Sequence, residues 1–159
     1  MSGEQLDRAK IENIIRQLAS QLNELQTYIE VAQSRVAMIR QEIEELRLSY
    51  ETISKINERK ERNVIVALDR RGYAFVRAEL RDVDKVLITL AREYVVAVPP
   101  NKALEILMNR NKDLSTALRE AEAELKKLLD LHAQIRQKLE EYVALLEQSS
   151  TGQAPGSAH

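Results

Sequence analysis

Hydrophobic side chains recur along the first third of the chain in steps of four and three: Ile11, Ile15, Leu18, Leu22, Leu25, Ile29, Ala32, Val36, Ile39, Ile43, Leu46, Tyr50 and Ile53. No polar residue interrupts this ladder. A mean step of about 3.5 residues keeps one narrow stripe against a partner helix in a left-handed supercoil. An ordinary amphipathic helix drifts off that register within a few turns. At about 1.5 Å per residue the ladder spans roughly 60 Å, longer than a compact domain of this mass is wide. It predicts a rod that needs something to lie against. A second ladder supplies the partner: Leu104, Leu107, Asn111, Leu114, Leu118, Ala121, Leu125, Leu128, His132, Ile135, Leu139, Tyr142 and Leu146. The two are nearly equal in length, so a tight fold-back between them predicts an antiparallel pair, with both chain ends together at the far tip.

The period changes between the ladders. Val64-Ile65-Val66-Ala67-Leu68 is apolar on both faces, and Asp69-Arg70-Arg71-Gly72 is turn chemistry, with Gly72 able to take positive φ. Residues 73–80 partly alternate and read as the returning strand. Residues 85–90 and 94–98 form a third and a fourth strand joined by Ala91-Arg92-Glu93, giving two β-hairpins in series. Pro99-Pro100 stops the last strand. Pro100 suits the first turn of the next helix, with Asn101 an alternative cap. At the N-terminus, Ser2 with Gln5 has capping-box spacing. Glu58-Arg59-Lys60-Glu61-Arg62 loses the apolar rungs and reads as the solvated end of the first helix.

The expected divisions are therefore an N-terminal coiled-coil helix over 1–62, two hairpins over 63–99, a C-terminal coiled-coil helix over 100–148 and a disordered tail over 149–159. The fold class is α+β, mainly α: a long antiparallel two-helix coiled coil with two β-hairpins inserted between its helices. Strands apolar on both faces belong in a barrel or a covered sheet, and four of them alone leave open edges. The hairpins are thus expected to join their like from other subunits into a β-barrel hub, through Val64, Val66, Leu68, Phe75, Val76, Val86, Ile88, Leu90 and Val96. The competing reading is a four-stranded cap on a monomeric helical hairpin.

At the distal end the polar flanks of the second ladder turn apolar, with Leu129, Leu131, Val143 and Leu145, and Ile14 stands beside Ile11 and Ile15 on the first helix. A two-stranded coiled coil buries only its seam, so this excess predicts a binding surface at the tip. Its candidate residues are Ile11, Ile14, Ile15, Leu18, Leu129, Leu131, Leu139, Tyr142, Val143, Leu145 and Leu146. The competing reading is a seam that extends sideways, or tips of neighbouring rods in contact. Of the polar rungs, Asn111 is expected to fix register from a buried position. His132 is expected to be packed or at the seam edge; no metal set surrounds it.

Composition narrows the function. The 159 residues are 31% charged with a net charge of −1, one Phe, no Trp and no Cys, the balance of a solvated helix pair rather than a globular enzyme. There is no bulk attraction to nucleic acid or anionic lipid, no thiolate metal site and no disulfide. No apolar run reaches the roughly 18 residues of a membrane span, and the start is not a signal peptide, so a cytoplasmic location is expected. No nucleophile–base set, usable His pair or phosphate-cradling loop is present, and no enzymatic activity or cofactor is expected. Lys60, Arg62, Arg70 and Arg71 make a small basic spot without an aromatic platform, weak support for nucleic-acid binding.

The order long helix, two hairpins, long helix resembles the prefoldin family, and the central segment resembles its alpha class. The residues that carry this are Val66-Ala67-Leu68 before a glycine-containing turn and Phe75-Val76-Arg77-Ala78 after it. Then come 82–88, Tyr94-Val95-Val96 and Ala103-Leu104-Glu105-Ile106. Beta-class subunits have room for one hairpin only. The turn at Ala91-Arg92-Glu93 lacks the glycines common there, and Asp69-Arg70-Arg71 replaces a glycine-rich approach to Gly72. The resemblance implies a hexamer of two alpha and four beta subunits, with tentacles hanging from a double β-barrel. It implies an ATP-independent cochaperone whose tips hold non-native polypeptides and deliver them to a group II chaperonin. Two other classes compete with it: a structural coiled-coil adaptor without client-holding activity, and a coiled-coil factor inserted into a polymerase channel.

Overall fold

A computed structural model describes residues 3–152. Its elements are α1 (Gly3–Arg59), β1 (Asn63–Ala67), β2 (Phe75–Glu79), β3 (Val86–Ala91), β4 (Tyr94–Val98) and α2 (Pro100–Thr151). The expected capping Ser2 and the last seven residues of the expected tail lie outside the described residues. Ser149, Ser150 and Thr151, expected in that tail, are the last turn of α2. Their hydroxyls donate back to the carbonyls of Leu146 and Glu147 at 2.7 to 3.2 Å, which satisfies them locally and lets the helix run on.

The chain divides into two compact units. One holds the α1 residues up to Ala37 and the α2 residues from Arg119. Its core is the run Leu25, Ile29, Ala32 and Val36 with Ala121, all below a tenth exposed. Arg35 donates to Glu124 across the pair at 3.4 Å. Both groups are more than half exposed, so this pair marks register rather than adding much stability.

The other unit, 38–118, holds the ends of the helices nearest the hairpins together with both hairpins. Here Ile88, Ala103 and Leu107 form a buried cluster, with Leu46, Tyr50, Ile53, Val86, Val98 and Ile106 packed on it. Ala103, in the first turn of α2, is wholly buried in this cluster beside Ile88 of β3. Every rung of the first ladder is buried or half-buried, and so is every rung of the second except Asn111. Asn111 is exposed, so the expected buried register-fixing amide is not there. It lines an open cavity with Ile43, Leu46, Arg47, Tyr50, Leu107 and Met108, and an amide facing water loses nothing by desolvation. His132 is half-buried at the seam.

The junctions are made by side chains. Helix α1 ends where Lys60 adopts φ +51° and its amide donates to the Ile56 carbonyl at 2.9 Å, a left-handed cap that costs a residue with a Cβ about 1 kcal/mol. The Lys60 ammonium bonds Asp84 at 2.9 Å and Asn57 at 3.2 Å, tying the helix end to the link between hairpins. Pro100 opens α2, where its missing N–H is not needed, and the Pro99 carbonyl accepts from Ala103 at 3.0 Å. Asn101 is not the cap: it sits inside the helix and accepts from the Asn57 amide at 3.2 Å.

The hairpins are two separate two-stranded antiparallel sheets. In β1–β2 the register runs from Asn63↔Glu79 to Ala67↔Phe75. Strand β2 starts at Phe75, later than expected, because Asp69 organises the loop before it. The Asp69 carboxylate accepts from the amides of Arg71, Tyr73 and Ala74 at 2.8 to 3.3 Å, and Gly72 takes φ +70° beneath the Phe75 ring. In β3–β4 the register runs Val86↔Val98, Leu87↔Ala97, Ile88↔Val96 and Thr89↔Val95, then slips so that Ala91 pairs with Tyr94. Ala91 is thus in the strand rather than the turn, and Leu90 is the extra residue. The connection is Arg92-Glu93, neither at positive φ. A two-residue loop of that kind mismatches the strand twist, and the bulge at Leu90 absorbs the difference.

Two outcomes follow from this packing. Ala103→Leu overfills the space under β3 and should cost about 1–3 kcal/mol in urea unfolding, with the distal unit's helicity retained. Asp69→Ala removes the acceptor of three amides and should speed hydrogen exchange at Tyr73 and Ala74 about tenfold. The Tyr73 amide chiefly, with those of Arg71, Ala74 and Gly72, holds the Asp69 carboxyl below its ordinary value. The order it gives the loop is therefore full above about pH 4 and is lost as pH falls below that through the folded-state value. Exchange measured across pH 3–6 in the wild type checks the direction.

Candidate interaction surfaces

Two packed helices can bury one stripe each; apolar side chains beyond it stay in water. In the unit formed by the chain's two ends, the seam is tightest at Leu25, Ile29, Ala32 and Val36. Towards the termini it loosens. Ile11, Ile14, Ile15, Leu18, Leu139, Tyr142 and Leu146 are only half-buried. Leu129, Leu131, Val143 and Leu145 are 45, 43, 37 and 50% exposed. By helical spacing, Leu129 and Val143 flank one side of the α2 seam, and Leu131 and Leu145 the other. A cation interrupts each flank, Arg136 on the first and Lys138 on the second, so each reads apolar, basic, apolar. Arg136 is paired with Glu140 at 3.1 Å.

The apolar excess is not confined to the tip, as the alternation alone suggested. Tyr28 and Val31 of the same unit are 59 and 65% exposed. They are i, i+3 neighbours on the outer side of α1, and nothing in the ladder signals them, because they occupy no seam position.

The hairpins divide differently from expectation. Of the nine residues expected to join subunits, Ile88 is buried, and Val86 and Val96 are half-buried. Ile88 and Val86 rest on the chain's own helices. Covering them requires no second chain. Val66, Leu68, Phe75, Val76 and Leu90 are exposed, and Val64 is half-buried. The most exposed apolar side chains in this unit are others: Ile65, Tyr73, Leu87 and Tyr94, at 71 to 79%. Register explains Leu87: once Ile88 turns inward against the helices, its neighbours must turn outward. Alternation by itself leaves open which face is inward.

Hairpin β3–β4 is fastened from below, by the cluster at Ile88 and by Arg110, whose guanidinium donates to the Thr89 carbonyl. Hairpin β1–β2 has no such floor. It is held at its root, where the Leu80 amide donates to the Arg62 carbonyl at 2.7 Å, and closed by its own loop. Its loop residue Arg70 borders an open groove with Met38, Glu42, Glu45 and Leu48 of α1 and Arg110 and Asp113 of α2.

Among the described residues no side-chain polar atom is buried without a partner and no His, Asp or Glu cluster is arranged for a metal. No helix is long and apolar enough to cross a membrane. The displaced titrations belong to surface ion pairs and turns. The Lys60 ammonium lowers Asp84, and Arg47 lowers Glu44 while Glu44 and Glu51 raise Arg47.

The family model for prefoldin, described as a prefoldin subunit, matches residues 25–144. The prefoldin subunit alpha of Sulfurisphaera tokodaii is 27% identical over 85% of this chain and 87% of its own. That of Metallosphaera sedula is 25% identical over 79% of this chain and 86% of its own, and that of Hyperthermus butylicus is 29% identical over 81% and 71%. A chain of a filamentous PFD from Methanocaldococcus jannaschii aligns over 82% of this chain and 98% of its own, at 19% identity. Its TM-score is 0.40. With three quarters of its length under the family model and alpha subunits as its relatives, the chain belongs to the prefoldin family of chaperone subunits.

Proposed function

We propose that this chain is an ATP-independent cochaperone subunit that captures non-native polypeptides at the ends of its helix pair and delivers them to a group II chaperonin. The observation that carries the reading is the exposed quartet Leu129, Leu131, Val143 and Leu145 beside a seam that loosens towards the same ends. Unfolded chains present scattered apolar segments, and half-wet leucines alternating with cations offer each a weak, adaptable hold. Several such tips on one body raise the overall affinity by avidity while each contact stays weak enough to release without nucleotide hydrolysis.

In this reading the 63–99 segment is the oligomerisation region. The exposed apolar strands of β1–β2 and the outer face of β3–β4 supply the surface for a β-barrel hub with prefoldin beta subunits, as two alpha and four beta chains. The place of work is the cytoplasm. The alternative, a structural coiled-coil adaptor, draws support from Tyr28 and Val31, exposed away from the tip, where a lateral helix would lie.

Aggregation of a denatured protein, followed without ATP in the presence of the assembled complex, separates the two. Changing Leu129, Leu131, Val143 and Leu145 together to Ser should lower protective potency about tenfold or more. Each substitution is at an exposed site, so stability should shift by about 0.5 kcal/mol or less per position, and assembly should be retained. Full protection by the assembled quadruple variant would favour the adaptor.

A further inference from the structure

Hairpin β1–β2 has two faces of different chemistry. The direct cross-strand pairs Val64↔Ala78 and Val66↔Val76 lie on one face, and Asn63↔Glu79, at the hairpin root, Ile65↔Arg77 and Ala67↔Phe75 on the other. The first face is apolar throughout. The second exposes Ile65 and Phe75 with Arg77 between them. Arg77 is itself exposed and makes no ion pair among the described residues. Its surroundings are basic as well: from 59 to 98, nine Lys and Arg stand against six Asp and Glu. One of those acids, Asp69, turns its carboxylate onto backbone amides.

We infer that the Ile65–Arg77–Phe75 face docks a strand of a different chain that presents a carboxylate opposite Arg77. The inference rests on the reading of the hairpins as assembly elements and adds what selects the partner. Covering Ile65 and Phe75 is favourable, but it takes the guanidinium out of water with them, and an uncompensated buried cation costs more than two apolar side chains return. A facing carboxylate, held by two parallel N–H donors, reverses the balance. A second copy of this chain is a poor occupant. The one acid it offers on this face is Glu79, at the hairpin root beside the Leu80–Arg62 bond, and it brings a like net charge to the same surface. The fitting partner is therefore an acidic hairpin on another subunit.

The test titrates the full-length chain with a prefoldin beta subunit and reads the Kd at low and high salt. Arg77→Ala should weaken binding about tenfold and Arg77→Glu about a hundredfold, the loss shrinking as salt rises, while Arg77→Lys, which keeps the charge but not the paired donors, should fall between wild type and Arg77→Ala. Arg77 is exposed and unpaired, so the isolated variants should melt with the wild type. Val66→Ser, on the opposite face, serves as the control for the assembly reading. Wild-type affinity in Arg77→Glu alongside loss in Val66→Ser overturns the inference and leaves the reading standing. Absence of binding by the wild type overturns both. Self-association of the chain alone, abolished by Arg77→Glu, also overturns it, by making the occupant a second copy.

Discussion

What the rest of the molecule depends on is the width of its seam. Two helices in contact along a 3.5-residue repeat bury one side chain per step on each, and among the described residues no large side chain is fully buried. The core of each unit is thin and closed by small residues, Ala32 and Ala121 in one and Ala103 in the other. Such a core cannot recruit apolar residues from elsewhere. Any leucine off the stripe stays wet, and any strand not resting on a helix stays open on both faces. The exposed apolar surface follows from the architecture rather than being a defect of it.

The two hairpins show how that constraint sorts similar sequences into different roles. Both are short, apolar and antiparallel. One reaches the first turn of α2, places Ile88 against Ala103 and Leu107, and is anchored further by Arg110 at Thr89. The other lacks a floor and relies on a carboxylate-bound loop and a single bond at its root. The first is a fixed platform with one face outward. The second exposes Ile65 and Phe75 on one face and Val66 and Val76 on the other, with Val64 and Ala78 half-buried, and in the proposed reading it is where another chain adds. An assembly role proposed for the whole segment thus falls unequally on its parts.

In the proposed reading the tip would work by the same physics. The flanks of α2 carry leucines and a valine spaced by Arg136 and Lys138, so no broad greasy patch forms. A surface of that kind grips weakly and broadly, which suits clients with no common structure and makes multiplicity of tips the source of strength. Electrostatics adds little along the helices, where the ion pairs are exposed and mostly within a turn of each other. Its leverage is greatest where apolar surroundings would make a charge costly, as at Arg77.

Much of the fold was legible because period is a local property. The ladders, the change of period after residue 62, the glycine turn at Gly72 and the proline start of α2 each need only neighbouring residues to be read. The family resemblance rested on the same segment. Where local pattern was silent, the expectations missed. Asn111 keeps seam period but faces a cavity, because burial depends on what the opposite helix offers. Leu90 became a bulge because Arg92-Glu93 has no residue suited to positive φ, so strand twist had to be absorbed nearby. Val86 and Ile88 turned out to cover the chain's own helices, and Leu87, Ile65 and Tyr94 to face water. The sequence alone determined the elements, their order and the stripe along each helix, since these follow from short-range spacing. Which face of each strand is spent inside the chain and which is left for another was decided only in three dimensions, by whether a helix happens to lie beneath it.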